Sequence, residues 1–453
     1  MKAIILAAGE GKRMKSDRHK VVQSILGKPM ITYVIEAARE AYCDDITVVV
    51  GYQAELVKSA VSGIEGVSFA LQEQRLGTGH AVLSAASALR EDGLVFVLSG
   101  DVPLIEASTL KALVDVHLLE NNIATMISTN VNDPTGYGRI VRDAEGRFTK
   151  IVEQKDATAK ELDICEVNPA VYLFTAETLL PVLKRLKNDN TQGEYYLTDT
   201  LALLLQDGHK VGVLNQPNPE QFCGVNDKYQ LSVVVDIMKA RINKRLMLSG
   251  VTIIDPAQAY ISPDVLIGQD TVIYPGAIIE PGTVIGSGCE IGPNTRIVNT
   301  VIGDNVAVMN SVCIDSEIGS DTKVGPFAYL RPHSKIGSHC KIGDFVEVKN
   351  ATIGDGSKAS HLTYVGDSDV GQNVNFGCGT VTVNYDGSRK YRTVIKDNAF
   401  IGCNTNLIAP VTVEENAYTA AGSTITEDVP RDTLGIARAR QINKTGWQRK
   451  TNA

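Results

Sequence analysis

The chain has no apolar run of the roughly 20 residues that a membrane-spanning helix requires. The opening MKAIILAAGEGKRM sets a basic residue before a short apolar run, but glycine and charge follow at once. It reads as a buried strand and a loop, not a secretory signal. Eight cysteines are scattered singly, at 43, 165, 223, 289, 313, 340, 378 and 403, and none forms a CxxC pair. Thiols so placed, in a large chain without a signal, are expected reduced in the cytoplasm. His339 and Cys340 are adjacent, so on a strand they face opposite sides and do not chelate together. A net charge of −8 argues against a general nucleic-acid binder. An anionic ligand must then be held by local cations and backbone amides.

What the chain does have is a rhythm. From Ile261 an aliphatic residue returns at every sixth position, through Ile267, Ile273, Ile279, Ile285, Ile291 and Ile297. The rhythm resumes at Ile318, Val324, Leu330, Ile336, Ile342 and Val348, and again from Ile395 through Ile401, Leu407, Val413, Thr419 and Ile425. Neither a helix nor an ordinary strand has this period. It marks a parallel β-helix in which each hexad is one flat side and three hexads close a triangular coil. The aliphatic residue points inward. The small residue after it, as in Ile285-Gly286 or Ile342-Gly343, is expected to let the chain turn the corner. About ten coils follow, each adding about 4.8 Å of height. Between Thr382 and Ile395 the register breaks around NYDGSRKYRT, which must leave the wall as a polar, aromatic, basic loop. The tail from Arg431 to Ala453 is basic and carries the only tryptophan, Trp447.

The first half alternates strand and helix signals, which predicts a mostly parallel sheet covered on both faces. Ala3 to Leu6, Ile46 to Val50 and Leu94 to Leu98 read as strands, and Met30 to Tyr42 and Gly79 to Leu89 as helices. Val233 to Leu248 reads as one amphipathic helix linking this half to the repeat. The expected organisation is an α/β domain over 1–227, a linker helix over 228–249 and a β-helix domain over 250–453.

Gly9 and Gly11 in the loop LAAGEGKRM permit close backbone approach to a phosphate, with Lys12 and Arg13 adding charge. The loop is neither a P-loop nor a dinucleotide fingerprint: no GK[ST] follows, and Met14 stands at the third glycine position. The strand LVFVL ends in Ser99-Gly100-Asp101, where open α/β sheets bind ligands. A carboxylate there suits Mg²⁺.

In the second half, Arg331 and Lys349 are 18 residues apart over unbroken hexads. They are expected on one face of neighbouring coils, where a bound phosphate would turn their repulsion into a pincer. His361 lies two positions after an inward residue, near a corner.

Taken in order, the motifs resemble those of a known family. They are L6-A-A-G-x-G-x-R-M14 with Lys20, Q72-x-x-x-x-G-T-G-H-A81, G100-D101, G136-Y-G-R139, I151-V-E-x-K-D-A157, Q192-G-E-Y-Y196 and G224-V-N-D227. They look like a sugar-1-phosphate nucleotidyltransferase. With the hexad domain and H361-L-T-Y364, the whole chain resembles the bacterial bifunctional N-acetylglucosamine-1-phosphate uridylyltransferase / glucosamine-1-phosphate acetyltransferases. The resemblance implies a Rossmann-like domain, a left-handed β-helix and a cytoplasmic homotrimer. It also implies synthesis of the cell-wall precursor UDP-N-acetylglucosamine from UTP, acetyl-CoA and glucosamine 1-phosphate.

The resemblance further implies roles for individual residues. Leu6, Ala7, Ala8, Gly9, Gln72, Gly77, Thr78, Ser99 and Gly100 would hold the nucleotide, and Lys20 a phosphate. Asp101 and Asn226 would hold Mg²⁺, and Gly138, Glu153 and Asn168 the sugar. Arg331, Lys349, Tyr364 and Asn375 would bind glucosamine 1-phosphate, and His361 would be the general base. Cys378, Asn384, Tyr385, Cys403, Ala421 and Arg438 would bind acetyl-CoA, with Lys390 a further candidate.

Two departures stand out. His19 precedes Lys20 where the family reads proline, which leaves the turn less constrained. Pro169-Ala170 follows Asn168 where the family has a small polar residue and glycine, adding a methyl group near the sugar. Cys378 and Cys403 replace the expected alanine and serine, and read as small wall residues. A single-activity nucleotidyltransferase whose β-helix only assembles subunits, and a non-catalytic scaffold, are the competing readings.

Overall fold

The computed structural model describes residues 1–89 and 93–449, and the chain divides into two compact units, Met1–Met238 and Lys239–Ala453. The first is built on one ten-stranded sheet. Its parallel half runs Val67–Leu71, Asp45–Val50, Lys2–Ala7 and Leu94–Ser99 in spatial order. The other half is mostly antiparallel: Tyr172–Thr175, Ala124–Asn130, Glu166–Asn168, Gly138–Arg142 and Phe148–Val152, with Val211–Gln216 pairing parallel to Ala124–Asn130. The sheet is therefore mixed, not mostly parallel. The cause is connection length. Gly138–Arg142 and Phe148–Val152 are joined by a turn too short for a crossover, so they close as a hairpin.

Both faces of this sheet are covered. Ala3, Ile5 and Ala7 enter one core with Ile31, Val34 and Leu110, while Ile4 enters another with Val82, Leu179 and Leu204. Alternation along the strand sends neighbours to opposite faces. Leu6 pairs with Ser99, so the loops that follow these two strands emerge at one edge.

The helix expected from Val233 begins five residues earlier and runs Lys228–Leu248. The division between units falls within it. Lys228 donates to Gln23 Oε1 at 2.6 Å in the first unit. Asn243 donates to the Pro256 and Ala259 carbonyls at 2.8 and 3.0 Å in the second.

The second unit is the prism that the six-residue period predicts. Its three walls are parallel sheets of eleven, ten and nine two- to four-residue strands. The inward ladder of aliphatic residues is buried at nearly every predicted position, Ile267 being half-exposed. The corners work differently from expectation. The glycine after the inward residue does not supply the turn. The left-handed residue lies two places further on, as at Asn294 (φ 51), Asp321 (φ 59) and Phe345 (φ 55). Asn and Asp accept this conformation most easily. The glycine answers a close approach instead: a Cβ on Gly343 would lie 1.9 Å from the Ser360 carbonyl oxygen of the next coil.

Candidate active sites

In the first unit the motif residues converge on the carboxyl ends of Lys2–Ala7 and Leu94–Ser99. Two adjoining cavities open there. Leu6, Ala7, Ala8, Gly9, Lys20, Gln72, Gly77, Thr78, Ser99 and Asp101 line one. Gly138, Glu153 and Asn168 line the other, which shares Leu6, Thr78, Ser99 and Asp101 with the first. Gly100 lies beside them, its N–H donating to the Leu6 carbonyl at 2.9 Å. Gly77 has φ 108, and a Cβ there would sit 2.7 Å from the Tyr195 carbonyl oxygen, so no side chain fits.

Lys20 organises the centre. Its ammonium forms an ion pair with Asp101 and donates to Asn226 Oδ1 at 3.0 Å. Burial pushes the Asp101 carboxyl up, but the charge and hydrogen bond of Lys20, with a bond from Ser99, outweigh it and hold the pKa below the usual range. Two oxygen donors from distant parts of the chain thus already face one positive centre. That donor set fits a divalent cation completed by substrate phosphates. Among the described residues, no cluster of three or more His, Cys, Asp and Glu offers an alternative metal site.

His19 does not loosen this turn. Its φ of −55° is close to that of proline, and its Nδ1 accepts the Val21 N–H at 3.3 Å, capping the turn that carries Lys20. The ring is 1% exposed, and burial lowers its pKa, so it stays neutral. Ala170 does line the second cavity, beside Asn168 and Glu153, in a left-handed conformation with φ 61. Its N–H donates to Asn168 Oδ1 at 3.1 Å, while Asn168 Nδ2 donates to the Tyr172 hydroxyl at 2.7 Å. Burial holds the Glu153 carboxyl above its ordinary pKa, against a 3.2 Å bond from Thr198 Oγ1 and with the charges of Asp199, Asp156 and Glu194 adding to it. Thr198 and Tyr172 were not legible in the sequence, because their partners lie far along the chain or hang on a side-chain rotamer.

In the second unit Leu330 pairs with Val348, so Arg331 and Lys349 do stack on neighbouring coils. They are not bare cations. Arg331 Nη1 lies 2.7 Å from Glu347 Oε1, and Lys349 Nζ 3.5 Å from Asp367 Oδ2. Lys390, from the extruded loop, meets Lys349. That contact and the Lys349 charge hold the Lys390 pKa below the usual lysine value, with Arg331 adding to the effect. Three cations therefore crowd one place. Asp367 is 5% exposed and gathers Lys349, Asn350 and Asn384 around it. Asn384 also donates to the Tyr364 hydroxyl at 3.4 Å, linking the loop to the wall.

His361 ends the strand Lys358–His361, and its Cα partner on the preceding coil is Asp344. Its Nδ1 lies 2.6 Å from Asp344 Oδ1. A carboxylate accepts only, so Nδ1 carries the proton, and Nε2 of the half-exposed ring is left as an acceptor. Asn375 stands on the following coil, opposite Lys358.

The extruded loop is closed by a bridge between Tyr385 and Lys390, with Tyr385 56% exposed. Cys378, Cys403 and Ala421 form a column on successive coils: Asn404 N–H donates to the Cys378 carbonyl at 2.7 Å, and Gly422 N–H to the Cys403 carbonyl at 2.8 Å. Arg438 passes beside Gly422. Glu347, Asp344 and Asp367 escaped the sequence reading. The 18-residue spacing that paired Arg331 with Lys349 would place Gly343 beneath His361; the coil there is 17 residues long, so Asp344 takes that place.

A nucleotidyl transferase model matches residues 2–218 and a bacterial transferase hexapeptide model, of six repeats, matches 315–350 and 392–427. A model for the GMPPB C-terminal domain matches 261–329. The bifunctional protein GlmU of Clostridium botulinum (strain Loch Maree / Type A3) is 51% identical over 98% of this chain and 97% of its own length. The GlmU proteins of Clostridium perfringens (strain SM101 / Type A) and Acetivibrio thermocellus are each 53% identical over 98% of this chain, and over 98% and 96% of their own lengths. Identity of this order across both units, in a chain whose sheet edge and prism wall each carry a polar constellation, shows that the chain belongs to the GlmU family of bifunctional proteins.

Proposed function

We propose that this chain makes UDP-N-acetylglucosamine by two transfers at two separate sites. It is an acetyl-CoA:glucosamine-1-phosphate N-acetyltransferase and a UTP:N-acetylglucosamine-1-phosphate uridylyltransferase. The observation that carries this reading is that each unit holds its own polar constellation: Lys20 with the oxygen donors Asp101 and Asn226 in one, and the cations Arg331, Lys349 and Lys390 in the other, where His361 pairs with Asp344.

At the prism, the cation cluster takes the phosphate of glucosamine 1-phosphate and fixes its amine. His361 Nε2 accepts the proton as the amine attacks the thioester carbonyl. Asp344 holds the ring in the tautomer that makes this work, and stabilises the imidazolium that results. Acetyl-CoA lies along the Cys378–Cys403–Ala421 column, with Asn384 and Tyr385 of the loop and Arg438 completing its site.

At the sheet edge, the phosphate loop and Lys20 align UTP, and Glu153, Asn168 and Gly138 hold the acetylated sugar. The sugar phosphate attacks the α-phosphorus in line and pyrophosphate leaves. Positioning and charge neutralisation carry the rate, and no protein nucleophile takes part. Asp101 and Asn226 would hold Mg²⁺, which supplies neutralisation of charge on the reacting phosphates.

We assign 1–227 to uridylyl transfer, 228–249 to the connecting helix and 250–453 to acetyl transfer. A homotrimer completes the enzyme. It is supported by an exposed row of Phe327, Phe345 and Leu362, each more than half exposed on successive coils beside His361. Cytoplasmic substrates favour a cytoplasmic location, and among the described residues no helix is long and apolar enough to cross a membrane.

The test is a pair of point variants assayed for both reactions. Asp101→Ala loses pyrophosphate release and keeps CoA release. His361→Ala lowers acetylation of glucosamine 1-phosphate by roughly 10²- to 10⁴-fold and leaves uridylyl transfer to N-acetylglucosamine 1-phosphate unchanged. Wild-type protein that releases no CoA with glucosamine 1-phosphate would leave a single-activity enzyme.

A further inference from the structure

Five cysteines lie in the second unit, and they fall into two groups. Cys289, Cys313 and Cys340 are buried, whereas Cys378 is half-buried and Cys403 exposed. The two accessible ones are stacked on each other. Phe376 pairs with Ile401, which sets the corner Gly377-Cys378-Gly379 against Gly402-Cys403-Asn404. The coils approach closely there: a Cβ on Gly377 would lie 2.4 Å from the Cys403 backbone nitrogen. Neighbouring strands stand about 4.8 Å apart, inside the Cα separation of about 4.4–6.8 Å that a disulfide accepts. Any small residue would serve as smooth wall here. Two thiols in register add redox chemistry.

We propose that Cys378 and Cys403 are a dithiol that a small-molecule disulfide oxidises, closing a bond across two coils and stopping acetyl transfer. The inference rests on placing acetyl-CoA along this wall, which makes CoA disulfide the favoured oxidant. The exposed Cys403 thiolate attacks one sulfur of CoA disulfide. That S–S bond breaks, a Cys403–CoA mixed disulfide forms, and the departing CoA thiolate takes up a proton. The Cys378 thiolate then attacks Cys403 Sγ and expels the second CoA as a thiol. Two protein thiols are oxidised to one disulfide, and one CoA disulfide is reduced to two CoA thiols. Excess thiol reverses both steps.

The experiment uses the full-length protein, exposed in parallel to CoA disulfide and to oxidised glutathione, then alkylated and mapped by peptide mass spectrometry. Both reactions are assayed beside it. The expected result is a Cys378–Cys403 disulfide, loss of acetyl transfer, retention of uridylyl transfer and recovery with dithiothreitol. Cys378→Ala stops at a Cys403–CoA adduct, and in Cys403→Ser the oxidant no longer changes whatever acetyl rate the variant has. The exposed Cys165, in the other unit, reports that the oxidant was active. If Cys165 reacts while Cys378 and Cys403 remain free, or if the bond forms and acetyl transfer is unaffected, the proposal is overturned. A bond that forms no faster with CoA disulfide than with glutathione disulfide leaves the dithiol standing and counts against the placement of acetyl-CoA on this wall.

Discussion

His361, the proposed base, shows how much a side chain's chemistry owes to its neighbour. An imidazole on a solvent-facing wall has two tautomers, and only one of them presents Nε2 as a base. Asp344 decides between them across 2.6 Å. Its own carboxyl is held below the usual range, first by the hydrogen bond from His361, so it is ionised at neutral pH. The sign follows: this support is complete above the ordinary carboxylate pKa of about 4 and is lost as pH falls through the lower folded value. Asp344→Asn keeps the shape but lets an amide donate to Nδ1, moving the proton to Nε2. Acetyl transfer is expected to fall by roughly 10²- to 10⁴-fold, with the acetyl-CoA dissociation constant unchanged and uridylyl transfer intact. Steady-state rates beside a binding titration check it. An unchanged rate would leave Asp344 as a surface partner only.

At the scale of the element, the hexad is a contract between neighbouring coils. The inward aliphatic residue fills the prism, the left-handed residue turns the corner, and the glycine between them makes room for the backbone of the next coil. Gly343→Ala tests that last role, since its methyl would land on the Ser360 carbonyl, one residue before His361. Overpacking of this kind costs about 1–3 kcal/mol. The denaturation midpoint of the prism is expected to drop accordingly, and acetyl transfer with it, while the uridylyl rate of the folded protein holds. An unshifted midpoint would mean that the coil spacing yields, and that the glycine is not needed there.

At the scale of the molecule, Phe327, Phe345 and Leu362 form one of the exposed apolar rows on the prism, others being Leu266, Val284 and Val301, and Phe400 with Tyr418. Phe327 and Phe345 stack at 5.4 Å with 13° between their planes, which presents a flat strip to a partner. Replacement of Phe327 by glutamate places a charge in the proposed trimer contact and touches neither site. Light scattering of the full-length Phe327→Glu variant is expected to report monomers. Acetyl transfer, but not uridylyl transfer, is expected to fall with assembly. A trimeric variant with both rates normal would move the contact elsewhere on the prism.

The sequence by itself settled whatever depends on residues near one another or on a strict period. The inward ladder, the stacking of Arg331 on Lys349, the extruded loop and the glycine-containing loop after the first strand were all legible, because repetition and strand alternation turn spacing into position. Tertiary structure decided the rest. The antiparallel half of the first sheet depends on which strands meet across short turns, and periodicity carries no strand direction. Lys20 bridges Asp101 and Asn226, which come from three distant stretches of chain brought to one edge of the sheet. His19 takes the place of a proline by capping the turn with its ring, an outcome set by a rotamer. Glu347, Asp344 and Asp367 beneath the cations and the histidine depend on side chains reaching between coils. A charge read along the chain says nothing of the countercharge that folding stacks upon it.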